Sequence, residues 1–106
     1  MNNTVEKVVL KRAATAPWSE AALAESMRAE GFATTRHEYG PGSYFPPHDH
    51  ENDKCDAVIQ GCLRLEIEGV IYDLMPGDRI YLPARTMHDA RVIGKTPVTS
   101  LDGVLI

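Results

Sequence analysis

His48-Asp49-His50 and Pro76-Gly77-Asp78-Arg79-Ile80-Tyr81-Leu82-Pro83-Ala84-Arg85-Thr86-Met87-His88 are the stretches on which the reading of this 106-residue chain turns. They hold three of its four histidines. Histidine is the commonest metal ligand near neutral pH. His48 and His50 are two residues apart, so on an extended strand both side chains leave the same face. The second stretch reads as a turn, a short strand, a proline-bounded loop and then a histidine. A chain closed into a β-barrel could aim all three imidazoles at one interior point.

The flanking sequence supports such a barrel. Leu63, Leu65 and Ile67 alternate with Arg64, Glu66 and Glu68, the period-two mark of a half-buried strand. Further strands are predicted over Val5–Leu10, Phe32–Tyr39, Asp56–Gln60, Val70–Leu74, Ile80–Leu82, Asp89–Ile93 and Pro97–Leu101. Tyr44 to His50 is extended, as Pro46-Pro47 requires. Turns fall at Gly40-Pro41-Gly42, Glu51-Asn52-Asp53, Gly69 and Pro76-Gly77-Asp78. One helix is expected. After a break at Ala16-Pro17-Trp18, Ser19 serves as N-cap, helix formers run from Glu20 to Glu30, and Gly31 ends them. Leu23 and Met27 face the body. Many short strands at regular spacing indicate a sandwich or barrel.

Size and charge narrow the function classes. The length suits one domain, residues 1–106, with 1–31 an N-terminal strand and helix extension and 32–106 the barrel. A formal net charge of -4 argues against nucleic acid as a partner. No apolar run is long enough to span a bilayer, and Met1–Lys7 does not resemble a signal peptide. Cys55 and Cys62 make no disulfide framework, so a reduced, cytoplasmic protein is expected.

At these residues the chain resembles the cupin family. The first family motif is a glycine, five residues, H-x-H, then a glutamate and a closing glycine; Gly42, His48-Asp49-His50 and Gly61 fit it. In the second, a glycine leads through five residues to P-x-G and then a histidine; Gly77, Pro83 and His88 fit it. Fifteen residues, Cys62 to Pro76, separate the motifs, which is similar to small single-domain cupins. The resemblance implies an all-β fold, a double-stranded β-helix or jelly-roll barrel, here with a short N-terminal α-helix. It also implies a metal site at His48, His50 and His88. The departures are specific. Lys54 stands where the family usually has its glutamate ligand, Cys55 occupies the other allowed spacing, Arg85 replaces the glycine of P-x-G, and Val92 replaces a terminal asparagine.

Three neutral imidazoles suit one divalent transition metal, Zn, Fe, Ni or Cu, and leave coordination positions open. Near such a cation, Lys54 could turn away onto Asp53, Asp56 or Glu51, lose its proton, hold an anion against the metal, or simply be a solvated rim residue. Strand alternation turns Cys55 away from the site if Lys54 faces it. By the same parity Tyr44 and Pro46 share the face of His48 and His50, and Ala90 and Val92 that of His88. Lys54, Tyr44, Arg36 and Arg85 are thus the candidate ligand-binding side chains. His37 reads as a surface histidine, and Asp53 and Asp56 as turn or surface residues, or as carboxylate ligands if the turn after His50 is remodelled. A small carboxylate or phosphate is the expected ligand, and a homodimer the expected assembly. A metal-dependent oxygenase or isomerase, a non-catalytic small-molecule sensor with or without metal, and a metal-free barrel that mainly dimerises all fit; no catalytic residue is assigned.

Overall fold

In the computed structural model, residues 4–13 and 18–106 are described. The break at Ala16-Pro17 lies outside them. Nine strands and one helix follow in the order β1 (Val9–Lys11), α1 (Glu20–Ala29), β2 (Phe32–Tyr39), β3 (Tyr44–His48), β4 (Lys54–Gln60), β5 (Cys62–Ile67), β6 (Val70–Leu74), β7 (Arg79–Leu82), β8 (His88–Ile93) and β9 (Val98–Leu105). They form two antiparallel sheets, one ordered β1-β7-β4-β9-β2 and the other β3-β8-β5-β6. This is the jelly-roll sandwich that the alternating pattern implies.

The alternation on β5 decides which way that sheet faces. Leu65 pairs with Tyr72 of β6 and Ala90 of β8, and Leu63, Leu65 and Ile67 are buried against the opposite sheet. Together with Val58, Leu74, Ile80, Leu82 and Val98 they make the inter-sheet core. The outward residue Arg64 holds Asp73 through two contacts of 2.7 and 3.0 Å. On the outer face of the five-stranded sheet, α1 covers a second core of Leu23, Met27, Phe32, Cys55, Ala57 and Leu101. Ser19 Oγ accepts the Ala22 N–H at 3.1 Å, a cap worth about 1 kcal/mol. Gly31, at φ +98°, takes the left-handed conformation that ends the helix.

Two strand expectations are corrected. The first strand is only Val9–Lys11, paired with β7. The Val5 N–H is instead taken by the Asp53 carboxylate at 2.7 Å, so local β-propensity yields to a side-chain acceptor. The last strand runs on to Leu105, not Leu101, and pairs with β2 throughout, Phe32 opposite Leu105 and Tyr39 opposite Val98. Among the described residues, no helix is long and apolar enough to cross a membrane.

Candidate metal centre

His88 opens β8 and lies directly opposite His48, the last residue of β3. His50 follows in the loop after β3. That loop is held to the one preceding β8 by a hydrogen bond from the Arg85 N–H to the His50 carbonyl, 2.8 Å. The three rings stand 4.4, 4.9 and 5.2 Å apart between centroids. One ligand nitrogen from each falls within 4.8 Å of the other two.

The backbone fixes the tautomers of two of them. His48 Nδ1 donates to the Pro46 carbonyl at 2.7 Å, and His88 Nδ1 donates to the Thr86 carbonyl at 2.8 Å. A carbonyl can only accept, so Nδ1 carries the proton and Nε2 keeps its lone pair for a metal. Burial holds His50 down to about 4, with Lys54 adding to the effect, and burial likewise lowers His88. Both are therefore neutral near pH 7, the form that coordinates. Converging nitrogens, two fixed tautomers and the neutral rings of His50 and His88 together fit a transition-metal ion.

The histidines form one end of a cavity of about 200 Å³ between the sheets. Phe45, Leu63, Leu65 and Ala90 give it apolar walls; Lys54, Asp56, Asp102 and Tyr39 give it a polar one. Lys54 is only 7% exposed. It is therefore not a solvated rim residue, and although it pairs with Asp56 at 3.3 Å it faces the cavity. Asp56 is two residues on along β4, so it shares the face of Lys54. It stands directly opposite Asp102 of β9. Its Oδ1 is sealed from solvent and receives no aligned hydrogen bond, the Lys54 ammonium approaching off the hydrogen-bonding direction. Burial raises the Asp56 carboxyl well above the usual carboxylate range; Lys54 opposes the rise and Asp102 adds to it. Asp102 accepts from Ser100 Oγ at 3.2 Å and from Tyr39 Oη at 3.4 Å. Burial and Asp102 push the Tyr39 phenol up to about 12, so it remains a donor.

Three of the predicted ligand-binding side chains do not line this cavity. Tyr44 is 46% exposed, bonded to Asp89 at 3.2 Å and capped by Arg91. The register shifts between Phe45 and His48, and this bulge inverts the face on which residues before it lie, so Phe45 points inward in place of Tyr44. Arg36 lies on an exposed stretch of β2 and pairs with Glu20 of α1 at 2.9 Å. Arg85 reaches outward to Asp49 (3.8 Å) and Glu51 (3.7 Å). Cys55 faces α1, as alternation requires, and burial raises its thiol to about 12. Asp53 is a brace: its carboxylate accepts the Ala84 N–H at 2.7 Å as well as that of Val5, tying the loop before His88 to the N-terminal segment. His37 is exposed, as expected, yet it stacks on Tyr39 and lies 3.6 Å from Asp102 at the cavity rim.

A larger groove of about 620 Å³ runs between the N-terminal segment and the end of α1, past Val5, Lys7, Phe32 and Tyr81. Among the described residues it holds no cluster of metal-ligating side chains like the three histidines.

A family model described as the cupin domain matches residues 35–104. The chain belongs to the cupin family. Among solved structures, a cupin 2 domain-containing protein from Halorhodospira halophila superposes with a TM-score of 0.73 at 22% identity, covering 94% of this chain and 78% of that one. KdgF from Halomonas sp. gives 0.59 at 25% identity, covering 96% and 84%. A cupin protein from Bacteroides fragilis gives 0.62 at 18%, covering 90% and 85%. No curated protein matches. In this cupin the residue standing for the usual glutamate is an inward lysine; of its counter-charges, Asp56 is among the partners that the sequence offers Lys54, whereas Asp102 is not marked by any sequence pattern. The strand that carries Asp56 begins at Lys54, two residues earlier than expected, which puts Lys54 and Asp56 on one face. Asp102 lies one residue beyond Leu101, where the last strand is expected to end, and is carried by the continuation of β9 to Leu105.

Proposed function

We propose that this cupin binds one divalent transition metal through His48, His50 and His88 and holds a small anionic organic molecule beside it. The observation that carries the reading is the convergence of three imidazole nitrogens within 4.8 Å, two of them with Nδ1 committed to backbone carbonyls. When bound, such a metal supplies Lewis-acid or redox chemistry at its open positions. The chain's own contribution is orientation and exclusion of water. Phe45, Leu63 and Leu65 shield the carbon skeleton of a ligand, and Lys54 offers an ammonium to its anionic end. A metal-dependent oxygenase or isomerase is the enzymatic form of this reading. A binding module without turnover is the alternative, favoured by the lysine where an anionic metal ligand is usual. Oxygen uptake or isomerisation in the presence of a small acid separates the two. A homodimer built through a sheet edge is proposed as well; β1 and β2 are the edges of the five-stranded sheet.

Elemental analysis of the purified chain beside a His48→Ala/His88→Ala double variant tests the centre. Near-stoichiometric iron, nickel, zinc or copper is expected in the parent and at most a trace in the variant. No metal in either protein after reconstitution would discard the reading.

A further inference from the structure

The wall facing the histidines has more acceptors than donors. Asp56 and Asp102 lie side by side across β4 and β9, and each carboxylate offers about four acceptor positions. The hydroxyls that reach Asp102, at 3.2 and 3.4 Å, are longer than the roughly 2.7–2.8 Å usual for O–H···O bonds. Asp56 Oδ1 is sealed against the Lys54 ammonium at 3.3 Å, so the acceptor capacity left for a ligand is on the open parts of the Asp56 and Asp102 side chains, 15% and 26% of their surface. Buried acceptors left unpaired are costly, so a ligand that fits this wall brings hydrogen-bond donors to it.

Charge selects among such ligands. With a dication on the histidines, Lys54 adds one positive charge and the carboxylates of Asp56 and Asp102 remove two, the dication opposing the rise that burial gives the Asp56 carboxyl. One positive charge is left over. A monoanion completes neutrality, whereas an amino-acid zwitterion does not, and buried charge is tolerated only when paired. The cavity, about 200 Å³, favours a compact ligand.

Resting on the metal-centre reading above, we propose that the ligand class is a small monoanionic hydroxy acid. Its carboxylate lies between the histidine end and Lys54, and its hydroxyl donates to the Asp56–Asp102 pair. The ligand thereby bridges the two sheets, because the histidines belong to β3, its following loop and β8, and the acid-reading residues to β4 and β9.

Calorimetric titration of the zinc-loaded chain with glycerate, propionate and alanine tests this. Glycerate is expected to bind about tenfold or more tightly than propionate, as a hydrogen bond to a charged acceptor provides, and alanine no better than propionate. Asp102→Ala should bring the glycerate-to-propionate ratio near one while leaving propionate binding intact or tighter. Asp56→Asn, which keeps the shape, should reduce the ratio partway and serves if the first variant does not fold. A hydroxy acid can also chelate a metal directly, so a ratio unchanged in both variants overturns the proposal. Equal affinities in the parent, a preference for alanine, or no binding of any of the three to zinc-loaded protein also overturns it, with the metal centre intact. Failure to load zinc at all removes the underlying reading instead.

Discussion

At the scale of single residues, Arg85 explains a family pattern by departing from it. Its φ of +64° is in the left-handed region, where any side chain beyond glycine is disfavoured by roughly 1–2 kcal/mol. The P-x-G motif puts glycine at this position, and the reason is the turn by which the loop presents His88 and bonds back to His50. Arg85 recovers little of the cost, since its contacts to Asp49 and Glu51 are long and exposed, and such pairs are worth about 0–1 kcal/mol. Arg85→Gly should therefore leave stability unchanged or raise it by about 1 kcal/mol, with metal binding retained. Arg85→Ala, which keeps the strain and loses the pairs, should be the less stable of the two. Urea midpoints of both variants decide the matter; an alanine variant more stable than the glycine one would show that side-chain contacts, not backbone strain, govern the loop.

At the scale of elements, what could be read from sequence was set by periodicity and what could not by irregularity. β5, with Leu63, Leu65 and Ile67 on one side, was fully legible, as was α1 from its Ser19 cap to Gly31. The histidine set was legible because H-x-H and the proline-bounded loop before His88 are local patterns. Tyr44 was misplaced because a bulge between Phe45 and His48 has no signature in composition, and it inverts every inference from parity upstream of it. Asp102 falls just past the expected end of the last strand at Leu101, in a stretch where Gly103 weakens the β pattern. Gly103 is a site of close packing: a Cβ there would lie 2.6 Å from the Cys55 carbonyl oxygen and 3.1 Å from Met27 Cε. Gly103→Ala must push β9 away from β4 and α1, at a cost of about 1–3 kcal/mol, and should weaken ligand binding through the displaced Asp102. Gly40→Ala is the control, because its Cβ meets nothing within 4 Å and its φ is not positive. Thermal unfolding of the pair should show a clear loss for Gly103 and little for Gly40; equal effects would refute the packing account.

At the scale of the whole molecule, metal and fold should stabilise each other. The unfolded chain offers no preformed set of three imidazoles, so a metal that binds the native state adds about 2.7 kcal/mol when present at a hundred times its dissociation constant. For a domain of this size each kcal/mol moves Tm by about 4–8 °C, so saturation should raise Tm on the order of 10 °C or more, and a chelator should reverse it. pH acts on the same groups. Burial holds His50 at about 4 against an ordinary 6.5, so its folded value is the depressed one. The stability it contributes is complete above pH 6.5 and is lost as pH falls through 4. His88, also lowered, acts in the same sense. Asp56 acts in the opposite sense: its raised folded value contributes stability at low pH that is lost as pH rises through that value. The metal-free chain should therefore have opposed slopes between pH 4 and 7, and Asp56→Asn should leave the histidine slope alone, so that Tm climbs more steeply with pH. Calorimetric scans of the parent and variant across that range, with and without zinc, check both parts. A zinc-independent Tm would separate the histidine cluster from metal binding, and identical pH slopes in the two proteins would mean that Asp56 is ionised in the fold much as it is in the open chain.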